Sequence, residues 1–165
     1  MADLNTYNSV QENFFVEINV DGSYTRFSDY QKDYTVSGSN YNALGSLLSI
    51  TNTKTEIRAS NQQLTIGISG IPTANLAMVQ NAEIKGSPVT VHRALFDPVS
   101  AELLGTPEQN PTIKFKGMIT NYAVEEYWDD SGNSGFSLIL QVQSIIGQLL
   151  TKVAGRRTNP NDEKK

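Results

Sequence analysis

The fold is decided by residues 112–142, which read TIKFKGMITNYAVEEYWDDSGNSGFSLILQV. Apolar and polar residues alternate through both halves of this stretch, a pattern typical of strands with one buried face. Between the halves, residues 129–135 are all Asp, Ser, Gly or Asn, residue types that favour turns. The stretch therefore predicts two long antiparallel strands joined by a turn, the first over residues 112–128 and the second from Phe136.

The alternation changes phase inside the first of these strands. One parity holds Ile113, Phe115, Gly117, Ile119, Asn121 and Ala123. The other parity holds Val124, Glu126 and Trp128. Because one extra residue in a strand reverses which side chains face the core, we predict a bulge near Tyr122 and Ala123.

Further strands are predicted on either side of this stretch. Residues 15–20 alternate before Asp21-Gly22, a dipeptide that favours a tight hairpin turn, and alternation resumes behind it. Residues 63–69 and 89–96 also alternate. We expect these strands to pack in one core that contains Phe15, Val20, Ile66, Ile68, Val91, Phe115 and Leu140.

Two other patterns interrupt the strands. Residues 37–49 mix Gly and Asn with Tyr and Leu, which indicates an irregular but packed loop. Helical spacing of apolar residues predicts a short helix over residues 74–81, capped by Thr73, and a final helix over residues 144–153. The fold class predicted from these patterns is α+β, mostly β, with antiparallel sheet dominating and one or two short helices.

Composition limits the functions open to the chain. It has 165 residues, no Cys and a net charge of −4, which argues for one domain without zinc fingers, thiolate iron–sulfur sites or nucleic acid as primary partner. No apolar stretch approaches the ~20 residues of a membrane helix. The N-terminal residues lack the pattern of a secretory signal, so we expect no membrane insertion and production in a cytoplasm.

The C-terminal end differs in charge from the rest. Residues 151–165 contain five basic and two acidic residues, a net of +3, so residues 1–150 carry −7. We predict a single domain over residues 1–154 and a basic, turn-rich tail over residues 155–165. The arginines Arg156 and Arg157 are suited to bidentate pairing with carboxylates of an acidic neighbour, either another copy of the chain or a different protein.

The residues do not predict catalytic chemistry. His92, the only histidine, lies on an alternating strand, and we expect it at the surface or in an interface. Glu125 and Glu126 are adjacent on a strand and so point to opposite faces. The run from Asp129 lacks the spacing of a calcium loop, and no glycine-rich nucleotide motif occurs. We predict no catalytic residue, cofactor or metal.

An ordered series of motifs resembles the family of small bacteriophage tail-tip or baseplate hub proteins. That family has segments like Y-x-A-L-G-x-L-L-S-I, L-T-I-x-I-S-G-I, G-x-P-V-T-V, F-K-G-x-I and G-R-R. Their counterparts here are YNALGSLLSI at 41–50, LTIGISGI at 64–71, GSPVTV at 86–91, FKGMI at 115–119 and GRRTNP at 155–160. The resemblance covers about residues 14–160. The chain stops at Lys165, whereas the family often continues beyond this point, sometimes with cysteines.

The resemblance implies an antiparallel β-barrel or sandwich-like hub domain and a structural, non-enzymatic role. Such a subunit would form a trimeric or hexameric ring that joins neighbouring tail-tube and tail-tip proteins in the virion, after assembly in the host cytoplasm. A head-to-tail ring needs two different surfaces on each subunit, and the charge split offers two. The candidate interface residues are Lys152, Arg156, Arg157 and Trp128.

Two other functions remain open from the sequence. A glycan-binding β-domain of a virion or cell-surface assembly would use exposed Tyr and Trp for stacking, with Trp128 as the main candidate. A hydrolase acting on cell wall would need a general acid, for which only Glu125 or Glu126 offers itself.

Overall fold

The computed structural model describes residues 9–51, 63–71, 83–105, 110–128, 130, 132 and 134–145. These residues are mostly β-strand, with one short 3-10 helix over Gly45–Leu47. The strands, in chain order, are β1 Gln11–Val20, β2 Ser23–Ser28, β3 Tyr34–Val36, β4 Ser39–Ala43, β5 Leu48–Ile50, β6 Gln63–Ile71, β7 Pro88–Phe96, β8 Thr112–Trp128 and β9 Ser134–Ser144.

The first hairpin forms where the sequence predicts it. Strands β1 and β2 pair antiparallel, with Val20 opposite Ser23. Between them, Asp21 and Gly22 have φ angles of 49° and 85°, in the left-handed region that a type I′ turn requires at both central positions. Asn19 accepts a hydrogen bond from the Gly22 N–H at 2.9 Å, which holds the turn closed.

All nine described strands belong to one mixed sheet, in the order β3-β4-β2-β1-β7-β8-β9-β6-β5. Residues 44–47 connect β4, next to one end of the sheet, with β5 at the other end. This connection spans at most ~18 Å. In a flat sheet seven interstrand steps would separate the same strands by ~34 Å. The sheet therefore curls until its two ends approach each other.

The hydrogen-bonded ladder does not close into a barrel, and the described strands form one open sheet rather than two stacked sheets. Strands β2 and β4 are parallel to each other, and following the pairings around the sheet shows that β4 and β5 run in the same sense. Strand β4 already pairs with β3 and β2, so the free ends of the sheet are β3 and β5, and no pairing between these two strands is described. The described strands thus form an open, curled sheet, and the β-barrel or sandwich-like form of the domain stays a prediction.

The main core fills the concave side of this sheet. It contains Val16, Ile18, Leu48, Leu64, Ile66, Ile68, Ile84, Val89, Val91, Phe115, Ile119, Leu138, Leu140 and Val142. Five of the seven predicted core residues lie here and are buried, and Val20 is half-buried against the same cluster. The predicted strand faces of β6 and β7 are thereby confirmed.

Phe15 belongs to a second cluster on the opposite face of β1. It is fully buried with Tyr30, Tyr41, Ala94 and Phe96. Its ring stacks on Tyr41 with centroids 4.7 Å apart. The prediction that Phe15 joins the main core is wrong, because Phe14 and Val16, on either side of it, take the concave face.

The second cluster is covered by a segment for which the sequence predicts an irregular loop. Residues 37–49 contain β4 and the 3-10 helix, so this prediction is corrected in form, although packing is confirmed by buried Tyr41 and Leu48. The regular structure arises because β4 pairs with both β3 and β2.

The predicted bulge in β8 is present, slightly earlier than expected. Ile119 lies opposite Val142 and Asn121 lies opposite Gln141, so Thr120 is the extra residue. Beyond it the even-numbered residues of β8 take the concave face, as the phase change predicts.

Several predicted elements lie outside the described residues. These are the helix over residues 74–81 with Thr73, the tail over residues 155–165, and residues 146–153 of the final helix. Ser144, the predicted start of that helix, is instead the last residue of β9, where it pairs with Gly117. The division at residue 154 stays a prediction.

Candidate interaction surface

The β8–β9 hairpin extends beyond the part of the sheet that is paired on both sides. Strand β7 begins at Pro88, opposite Met118 of β8. The last described backbone hydrogen bonds on that side join Gly86 and Ser87 to Ile119. Residues 121–128 of β8 pair with β9 on one edge, and no described strand pairs with their other edge. Among the described strands this is the longest one-sided stretch.

Aromatic side chains are exposed along this stretch. Trp128, opposite Ser134 at the end of β8, has 69% of its surface exposed. Tyr122 and Tyr127 are also exposed. The side chain of Tyr127 lies against Gly135 on the neighbouring strand, where an added Cβ would collide with its ring. Because Gly135 has no side chain, the Tyr127 ring can pack directly against it.

The carboxylates of the hairpin do not form a catalytic pair. Glu125 is opposite Ser137 and Glu126 is opposite Phe136, so the two side chains leave opposite faces of the strand, as predicted. Both are exposed, and so is Asp130, whereas Asp129 lies outside the described residues. Within the part of the chain that the structure describes, no group of three or more acidic or histidine residues could hold a metal ion.

We define the hairpin surface as the exposed residues along this free edge, with Tyr122, Glu126 and Trp128 on one face of the strand and Glu125 and Tyr127 on the other. It combines an unpaired strand edge, indole and phenol rings, and negative charge. From residue 121 to residue 143 the sequence contains four acidic residues and no basic one. An unpaired edge and exposed aromatic rings are the features through which sheets and interfaces associate.

A second polar group lies on the convex face of β1 and β2. Arg26 donates from Nε to Glu17 at 2.6 Å, and its guanidinium lies over the Tyr24 ring at 4.7 Å from the centroid. The hydrogen bond to Glu17 and its negative charge raise the pKa of Arg26 despite partial burial. Both charged groups are engaged with each other, and the pair links β2 to the residue directly opposite on β1.

His92 is half-buried on the same convex face, between Phe15 of β1 and Ile113 of β8. Burial lowers the pKa of His92; Glu17 counters this effect, whereas Lys116 adds to it. The side chain shares its face with Thr90 and Ala94, as the strand alternation predicts. The imidazole is therefore neutral near pH 7.

Of the four predicted interface residues, only Trp128 lies in the described part of the chain. Lys152, Arg156 and Arg157 lie outside it, so their role as interface residues stays a prediction.

Sequence reasoning missed two features of the convex face. The Glu17–Arg26 pair follows from the predicted hairpin, because a two-residue turn at Asp21-Gly22 places these residues directly opposite each other. The cluster of Tyr30, Tyr34, Tyr41, Phe15 and Phe96 depends on long-range pairing, and no local pattern reveals it.

Comparison with known proteins adds no relative. A scan against protein-family models finds no match, and a search of curated proteins finds no match either. Among the described residues no helix has the length and apolar character needed to span a membrane.

Proposed function

We propose that the chain is a non-enzymatic structural subunit of a phage tail tip or baseplate. In this role copies of the chain form a ring of three or six subunits, with a barrel-like hub domain in each, that connects the tail tube to the tip complex of the virion. The observation that carries the proposal is the hairpin surface, where residues 121–128 keep one strand edge unpaired by the described strands and expose Trp128.

The physical argument concerns what such a surface is suited to do. Soluble proteins usually keep edge strands short or covered, because a long free edge pairs with other chains. The terminal strands β3 and β5 follow this rule with three residues each. Residues 121–128 of β8 depart from it and add exposed aromatic rings, which are enriched at protein interfaces. The resemblance in motif order supplies the phage context.

A comparison of two surface substitutions tests the proposal. Trp128→Ala should weaken self-association by about tenfold, since buried Trp is a frequent hot spot of interfaces. Val99→Ala is the matched control, because Val99 is 91% exposed and follows β7 at its Phe96 end, whereas the hairpin surface lies beyond the Pro88 end. The measurement is sedimentation velocity over a range of protein concentrations. Equal association of both variants and the parent would contradict the role of the hairpin surface.

Glycan binding is the second candidate function, favoured by the exposure of Trp128 on the same strand face as Glu126. Sugar rings stack on exposed aromatic faces while carboxylates accept hydrogen bonds from hydroxyl groups. A glycan array probed with the parent and with Trp128→Ala separates the two proposals. Binding that disappears in the variant would support glycan recognition, and no binding to any glycan would remove it.

A further inference from the structure

The hairpin surface lacks a described partner, and its chemistry specifies what would fit it. Its exposed groups are aromatic rings and carboxylates, and residues 121–143 carry a net charge of −4. The guanidinium group of arginine can bind both kinds of group, because it stacks on Trp or Tyr rings and pairs with carboxylate oxygens. The occupant should therefore be a segment rich in arginine.

The chain itself contains such a segment. Residues 151–165 have a net charge of +3 and contain the adjacent Arg156 and Arg157. No other two consecutive residues of the chain are both arginine. Charge complementarity thus favours this segment as the occupant of the hairpin surface.

The direction of β9 favours a segment from another copy. Ser134 lies at the hairpin tip, opposite Trp128, and Ser144 lies at the far end, opposite Gly117. This distance along the strand is ~34 Å. Arg156 follows Ser144 by twelve residues, so it reaches ~40 Å only when fully extended. If the helix predicted over residues 144–153 forms, the reach falls to ~24 Å, too short for the chain's own tip.

We propose that segment 151–165 of a second copy pairs as an added strand with the free edge of one subunit's hairpin surface, so that the adjacent Arg156 and Arg157 lie on opposite faces, one against Trp128 and Glu126 and the other against Glu125. This inference rests on the proposed self-assembly and names the two surfaces that meet in it. Ser134 at the hairpin tip and Ser144, the strand residue that precedes the segment in the sequence, lie at opposite ends of β9, so the proposed contact is head-to-tail, the type that generates a ring when the rotation between copies closes.

Charge reversal with rescue tests the contact. One variant carries Glu125→Lys with Glu126→Lys, a second carries Arg156→Glu with Arg157→Glu, and a third carries all four substitutions. Each double variant should associate at least about tenfold more weakly than the parent, because attraction becomes repulsion at close range. The fourfold variant should recover association, since both charges are reversed. Lys164→Glu with Lys165→Glu is the matched control for net charge and should have the smaller effect.

Three measurements are made on the full chain. Sedimentation velocity gives the degree of association, and thermal unfolding confirms that each variant folds. Trp128 is the only Trp, so its fluorescence reports directly on the hairpin surface. Its emission should shift to shorter wavelength when the parent associates, because the indole leaves water, and the shift should be absent in both double variants.

The outcomes separate this inference from the proposed function. Association with the fluorescence shift, lost in the double variants and recovered in the fourfold variant, supports the contact. Association without a shift, or association that survives both reversals, overturns the contact while self-assembly stands. A parent that stays monomeric at every concentration overturns both.

Discussion

At the scale of single residues, burial on the concave face predicts where the chain is sensitive to truncation. Ile66 has no exposed surface, whereas Ile113 is 53% exposed. Ile66→Ala should lower the free energy of unfolding by about 2–5 kcal/mol, because it removes buried apolar groups and leaves a cavity. Ile113→Ala, the same change at an exposed site, should lower it by less than about 1 kcal/mol. Urea denaturation measures both, and equal losses would show that the assigned faces are wrong.

His92 predicts a pH dependence of stability. Its pKa in the folded protein is lowered from the ordinary value of 6.5, chiefly by burial. Below pH 6.5 the unfolded chain therefore binds more protons than the folded protein, so the free energy of unfolding decreases as the pH falls through this range. His92→Gln should lose less stability than the parent between pH 7.5 and pH 5.5, as measured by urea denaturation. Parallel pH profiles of the two proteins would contradict the assigned environment.

The buried face of a strand could be predicted from the sequence only where all the apolar residues fell on alternate positions. In β6 the apolar residues Leu64, Ile66 and Ile68 alternate with small or polar ones, so the buried face could be predicted. In β1 three consecutive apolar residues, 14–16, occupy both faces, and the concave face could not be chosen locally. Tertiary packing decided that Phe15 contacts the tyrosines of β4 and its neighbours instead.

At the scale of elements, the approach of β8 to β9 makes Gly117 a sensitive position. A Cβ added to Gly117 would collide with the backbone carbonyl of Gln143 and lie 2.7 Å from the Phe115 ring. Because a backbone carbonyl inside a paired strand cannot move aside, Gly117→Ala should lower the free energy of unfolding by about 1–3 kcal/mol.

Gly105 provides the control for this substitution. A Cβ added there meets none of the described atoms within 4 Å, so Gly105→Ala should be nearly neutral. Thermal or urea unfolding of the two variants measures the difference. A Gly117→Ala protein as stable as the Gly105→Ala protein would show that the two strands have room to separate.

Elements with a strong local signal could be predicted, and elements that depend on distant partners could not. The Asp21-Gly22 turn fixed the first hairpin, and the phase change in β8 placed the bulge within a few residues of Thr120. Strand β4 is short, and its parallel pairing with β2 brings together segments that no turn joins. The sequence pattern of residues 37–49 therefore looked irregular, although the partner strands make it regular.

At the scale of the whole molecule, the short connection between β4 and β5 controls the shape. It brings the two ends of a nine-stranded sheet together without closing the ladder. Strand order is a long-range property, which is why the sequence predicted a mostly antiparallel sheet but not its open, mixed form. The candidate site could not be predicted from the sequence of β8 alone for the same reason. The edge of residues 121–128 is unpaired because β7 begins at Pro88, opposite Met118.

The most direct test of the central claim is the molecular mass of the intact chain in solution, measured by light scattering coupled to size-exclusion chromatography. We expect a species of three or six times the 18.1 kDa chain mass at low salt. We also expect a shift toward smaller species as added salt screens the charges. A mass of one chain at every protein and salt concentration would contradict the proposal that this protein is a self-assembling structural subunit.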